Sequence, residues 1–145
     1  MSEKTSTLEI ERFLEQYLEA DEKIRGEKDY IASLRSIVEN TTTHLSFTAG
    51  RNPSKTNDKF ENTMIDIVEE ELKLSVRLNE LAVIQANVLS LIRKVPDAKM
   101  QKLLYCNYVE GMKMSEIAEE LDISRPGAYI LFEKALKAAE HIFRS

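Results

Sequence analysis

At 145 residues, the chain is long enough for one domain or two very small ones, and at 43% hydrophobic and 31% charged it is too apolar to be disordered. Its 4 Gly, 3 Pro and absence of Trp argue against a turn-rich β protein, and 20 Lys and Arg against 25 Asp and Glu give a net charge of −5. A lone cysteine, Cys106, excludes an internal disulfide and suits a reducing compartment, while two His and one Cys leave little material for a transition-metal site. No 18-residue apolar run occurs, and the first residues, MSEKTSTLEI, are charged where a signal peptide would be greasy. The expectation is a cytoplasmic protein without a membrane span, metal or cofactor.

Residues 8 to 40 carry the first helical pattern. Ile10, Phe13, Tyr17, Ala20, Ile24, Glu27, Ile31, Leu34 and Val38 alternate in steps of three and four, the signature of a coiled-coil seam broken only by Glu27. Gly26 is the one helix-weakening residue inside. From Asn40 to Asp58 the text NTTTHLSFTAGRNPSKTND is rich in Thr, Asn and Ser, and contains Gly50 and Pro53. It predicts a polar loop over 41–58, with Leu45 and Phe47 as its only large apolar residues.

A second stripe follows: Phe60, Met64, Ile67, Glu71, Leu74, Leu78, Leu81, Gln85, Val88, Ile92 and Val95, ended by Pro96. The two stripes match if the chain doubles back with Val38 facing Phe60, Ile31 facing Ile67, Tyr17 facing Leu81 and Ile10 facing Val88. That register sets Glu27 opposite Glu71. A like-charge layer open to water, relieved by Lys23 or Lys28, is one reading of this pair, and a metal or acid–base pair is the other. No His or third carboxylate joins the layer, which favours the first.

Beyond Asp97 the pattern shortens. DAKMQKLLYCNYV predicts a helix with Met100, Leu103, Leu104 and Tyr108 turned inward and a stop at Gly111. Ala118, Leu121, Ile123, Ser124, Ala128 and Leu131 then sit at helix-turn-helix spacing. Ala118 is small where a second helix crosses closely. Asp122 stands at a turn position that favours a positive φ, which Asp tolerates. Ser124 suits an N-cap, and Pro126 falls in the first turn, where no amide hydrogen is missed. Cys106 reads as a packing residue. His44 lies in the polar loop, and His141 in a last helical turn, where a cation suits the dipole. No nucleophile motif, metal motif or phosphate-cradling Gly loop is present, so an enzyme is not expected.

The stretch YVEGMKMSEIAEELDISRPGAYILFEKALKAA resembles region 4 of bacterial sigma factors, through Tyr108, Gly111, Glu116-Ile117-Ala118 and Lys134-Ala135-Leu136. The resemblance covers residues 97 to 143, about a third of the chain. The layout of a long helical part, a polar loop and this C-terminal module is similar to small phage regulators of late transcription, of the RinA/ArpU type. In sigma region 4 the first turns of the recognition helix read base edges, and the helix before it touches phosphates. Carried over, Ser124, Arg125, Pro126, Gly127, Tyr129 and Ile130 would face the major groove, with Arg125 as the candidate for a bidentate guanine contact. Lys113 and Ser115 would lie near phosphate, and Lys134 and Lys137 would meet the backbone farther along.

Departures from the family pattern accompany the match. Pro126, Gly127 and Ile130 replace polar readers, and Lys113 stands where a capping Ser or Thr is common. Residues 97 to 145 hold seven Lys and Arg against eight Asp and Glu, a net of −1, yet from Ser124 onward there are four basic and two acidic residues. Binding to double-stranded DNA would therefore be weak alone and helped by dimerisation or by RNA polymerase. The rival reading is a helix-turn-helix used only for protein contacts, favoured by Ile130 and Phe132. A DNA-packaging recognition subunit is a third reading, with its usual module order reversed.

The expected architecture is all-α. Residues 1–95 form a long antiparallel helical hairpin, coiled-coil-like, and residues 96–145 a helix-turn-helix module. Leu14, Leu18, Val68, Val76, Val83 and Leu89 fall off the seam, so either a second copy or a fold-back of the module must cover them. A homodimer presenting two recognition helices is the expected assembly. The expected role is sequence-specific control of transcription, in the form of a phage-encoded activator of late genes working in the bacterial cytoplasm.

Overall fold

The two heptad stripes become two long helices. The computed structural model describes the backbone of residues 2–48 and 53–145 and the side chains of residues 7–40 and 61–145. Its elements are α1 (Ser2–Thr48), α2 (Pro53–Lys94), α3 (Ala98–Tyr108), α4 (Met114–Leu121) and α5 (Arg125–Arg144), and the fold is all-α. No helix among the described residues is long and apolar enough to cross a membrane.

The polar loop expected over 41–58 is mostly helix. Helical backbone continues through Thr48 and resumes at Pro53. Thr, Asn and Ser lower helix propensity by only a few tenths of a kcal/mol each, roughly, and none of them breaks a helix already propagating. Pro53 sits at the first position of α2, where its missing N–H costs nothing. Residues 49–52 and the side chains of His44, Leu45 and Phe47 lie outside the described residues.

The contacts divide the chain into two compact units that draw on both sides of residue 96: Met1–Asp21 with Ala82–Ser145, and Glu22–Leu81. The first unit holds a three-dimensional core. Ile10 and Leu14 of α1, Val88, Ile92 and Val95 of α2, Leu104 and Tyr108 of α3, and Ala135, Leu136 and Ala139 of α5 pack into one cluster. Leu103, Cys106 and Ile117 form a second cluster with Leu121, Leu131 and Phe132 around it. Tyr108 stacks on Phe132 at 6.1 Å between ring centroids, and Phe13 meets Phe143 at 5.0 Å. Leu14, expected to be left over for an oligomer, is wholly buried here. The fold-back of the C-terminal helices onto the ends of α1 and α2 covers it.

The second unit is a two-helix pair. Its seam follows the stripe read from the sequence, with Ile24, Ile31, Leu34, Val38, Met64, Leu78 and Leu81 half-buried and Ile67 and Leu74 buried. The two carboxylates expected to face each other are both paired across the seam. Arg35 Nε bonds Glu71 Oε1 at 3.0 Å, and Arg77 Nε lies 3.8 Å from Glu27 Oε1. The helices are antiparallel, and the partner of Glu71 lies eight residues beyond Glu27 while that of Glu27 lies six residues beyond Glu71. Each carboxylate meets an arginine of the opposite helix, attraction replacing the repulsion of a shared layer, and neither Lys23 nor Lys28 is the partner. In the first unit, Gln85 Nε2 donates to the backbone carbonyl of Tyr17 at 3.2 Å.

Candidate nucleic-acid interface

Helices α3, α4 and α5 pack against one another as a helix-turn-helix preceded by a supporting helix. Asp97 caps α3, its side chain accepting from Met100 N at 3.0 Å. Gly111, at φ +71°, turns the chain after α3, and the Met112 N–H donates to Cys106 O across that turn. Asn107 Nδ2 donates to Met112 O at 3.2 Å and ties the same loop down.

The turn between α4 and α5 is closed at both ends. Asp122 adopts φ 56°, ψ 48°, the left-handed conformation expected at this position. Its N–H donates to Glu119 O at 3.2 Å and the next N–H, of Ile123, donates to Ala118 O at 2.9 Å, so the last carbonyls of α4 are satisfied in a Schellman motif. Ala118 and Ala128 are buried where α4 and α5 cross. Ser124 then caps α5: its hydroxyl accepts from Gly127 N at 3.1 Å, with Pro126 in the first turn. A Cβ added to Gly127 would sit 3.0 Å from Ser124 Oγ, so the glycine gives the cap its room. That supplies a structural reason for a residue otherwise assigned to the groove.

Burial along α5 has a helical period. Ala128, Ala135, Leu136 and Ala139 are buried, while Arg125, Pro126, Tyr129, Ile130, Lys134 and Lys137 are exposed. Ser124 is exposed, Gly127 half-buried, and at the start of α4 Lys113 is exposed and Ser115 half-buried. The fold thus brings the ten candidates to the start of α4 and the outer side of α5. Lys113 occupies the N-cap of α4 and makes no side-chain cap bond.

Glu133 belongs to the same outer face and was missed by sequence reasoning. Its spacing of four from both Tyr129 and Lys137 is the signal that would have found it. Tyr129, Glu133 and Lys137 line a groove of about 590 Å³ with Thr7, Leu8 and Glu11 of α1. Lys137 therefore shares its surroundings with two carboxylates, Glu11 and Glu133. At the end of α5, Arg144 pairs with Glu140 at 3.1 Å and with Glu9 at 3.5 Å. No ion pair or hydrogen bond among the described residues engages the Arg125 or Lys134 side chains. Lys102 of α3 lies 3.6 Å from Glu120 of α4, offsetting one acidic charge beside the module.

Among the described residues, titration behaviour singles out no reactive group. Burial, helped by Glu110, pushes the Cys106 thiol up, which keeps it protonated and unreactive. Burial also raises the Tyr108 hydroxyl, with Glu11 and Glu15 adding to the effect. Glu11 itself is raised from 4.5, first by desolvation and then by Glu15. Tyr105, by contrast, is 42% exposed at the rim. No family model, curated protein or solved structure matches the chain.

Proposed function

We propose that this protein is a sequence-specific DNA-binding regulator of transcription, with α5 as its recognition helix. The observation that carries the proposal is the exposed outer face at the start of α5, presented immediately after a left-handed turn and a serine cap. A helix of 20 residues is about 30 Å long, enough to lie in a major groove and leave its C-terminal half for packing. In this reading Arg125 reads a base edge at the N-terminal end of α5. Lys113, Ser115 and Lys134 hold phosphates, and Lys137 contributes less because of Glu11 and Glu133. Glu133 accepts from a cytosine amino group or excludes a phosphate from its side of the helix. The resemblance to sigma region 4 and to phage late regulators makes a phage activator of late genes, acting at a promoter in the bacterial cytoplasm, the most specific version.

Recovery and sequencing of genomic fragments bound by the folded protein tests this reading. One enriched promoter-like site, lost with Arg125→Ala, is the expected result. Uniform recovery at low salt contradicts it. A second reading, binding to RNA polymerase or another protein without reading DNA, is favoured by Tyr129 and Ile130, exposed at 56% and 58% on the outer face of α5. In that case Ile130→Asp abolishes co-purification of the partner, and Arg125→Ala leaves it intact.

A further inference from the structure

Within Glu22–Leu81 the two helices differ on the sides turned away from their seam. The outer side of α1 carries Glu22, Asp29, Ser33 and Ser36, all exposed. The outer side of α2 carries Ile65, Val68, Leu72 and Val76, exposed at 56%, 49%, 64% and 59%. At about 100° per residue these four side chains fall within roughly 40° of one line down the helix. Leu72, the most exposed, stands at the centre of that line. On α1 of the same unit two large apolar residues, Tyr30 and Ile37, are exposed, so the longer solvated strip of four on α2 marks that helix as the better candidate for a partner.

We propose that the partner is a second copy of this chain, its α2 packed antiparallel on the first about a two-fold axis at Leu72. The charges flanking the strip argue for this occupant and this direction. Glu69 and Lys73 are both exposed and border the same edge of the strip. Under a two-fold that reverses the helix direction, an edge meets its own copy. Val68 then packs on Val76 of the partner subunit, Leu72 on the partner's Leu72, and Glu69 faces the partner's Lys73 on both sides of the axis. Lys73 is free to swing there, because its contact with Glu70 on the same helix is long at 3.8 Å and its side chain is 67% exposed. Parallel packing would instead bring opposite edges of the strip together and lose both ion pairs. Val68 and Val76 were expected at an oligomer interface from the sequence; Ile65, Leu72 and the Glu69–Lys73 pairing are additions from the structure. The interface stands whether or not α5 reads DNA.

Sedimentation equilibrium of the full chain, combined with single-cysteine crosslinking, tests it. The expected result is a reversible dimer that Leu72→Lys makes monomeric with unchanged helicity. Lys73→Glu and Glu69→Lys each weaken association several-fold, and the two together restore it. On oxidation Leu72→Cys crosslinks to itself, Val68→Cys crosslinks to Val76→Cys in a mixed sample, and Val76→Cys alone does not. The parent chain, whose thiol at Cys106 is buried, stays uncrosslinked. A parent chain that is monomeric at high micromolar concentration overturns the proposal. So does a Leu72→Lys dimer, or self-crosslinking of Val76→Cys equal to that of Leu72→Cys, which would mean a parallel pair.

Discussion

The two compact units of this chain use the same kind of helix and reach different degrees of burial. Where the ends of α1 and α2 meet α3 and α5, residues such as Ile10, Leu14, Leu104 and Leu136 are removed from water almost entirely. In Glu22–Leu81 only Ile67 and Leu74 are buried among the described hydrophobic residues, and most other seam positions stay half-exposed. Two helices have one shared face and cannot close a core around a side chain, whereas several elements can. The pair compensates with ion pairs across the seam, Arg35 to Glu71 and Arg77 to Glu27, which specify register more than they add stability.

The sharpest way to break this contrast is to truncate one residue on each side of it. Leu104→Ala, in the closed core, is expected to cost about 2–5 kcal/mol in chemical denaturation, while Leu78→Ala, on the half-exposed seam, costs less than about 2 kcal/mol. Equal losses would mean that the seam is as dry as the core. Next in size are the turn residues. Ser124→Ala is expected to cost about 1 kcal/mol through loss of the α5 cap, and Asp122→Val about 1–2 kcal/mol through its positive φ. Asp122→Gly, which relieves that φ, is expected to be neutral or stabilising, and a thermal melt series reads all three.

Smaller still is the seam arginine. With its side chain 67% exposed, Arg35→Ala is expected to cost less than about 1 kcal/mol, and the loss shrinks as salt is added. The smallest effect concerns Glu11. Its folded-state value lies above 4.5, so the folded chain holds that proton more tightly than the unfolded chain does. Its contribution is fullest at acid pH and is lost as pH rises through the folded value. Glu11→Gln should therefore stabilise the protein at neutral pH, with the gap closing as pH falls towards 4.5. A gap that widened on acidification would reverse the sign assigned here.

Local chemistry was legible in the sequence because each feature depends on neighbours within a few residues. The left-handed Asp122, the Ser124 cap, Pro126 in the first turn, the turn at Gly111 and the small Ala118 at the crossing all follow from short-range rules. The seam stripes did too, since their periodicity is a property of one helix at a time. The partners of Glu27 and Glu71 were not legible. They depend on how long side chains reach across the seam, and Arg35 and Arg77 lie just off the two apolar stripes. The burial of Leu14 was also out of reach, because the residues that cover it come from α2, α3 and α5. Glu133 was not legible for another reason: groove-facing residues stand out by positive charge, and a carboxylate on the outer face of α5 does not.

The role proposed for α5 makes its most exposed claim at Arg125. Fluorescence anisotropy of the recovered target duplex and a scrambled duplex, across a salt series, tests that claim for the parent protein and Arg125→Ala. The expected result is affinity that falls with salt in proportion to the phosphates engaged, and a preference for the target that drops by about 1–3 kcal/mol in the variant. Folded protein that binds neither duplex at low salt would contradict it, as would one whose preference survives Arg125→Ala unchanged.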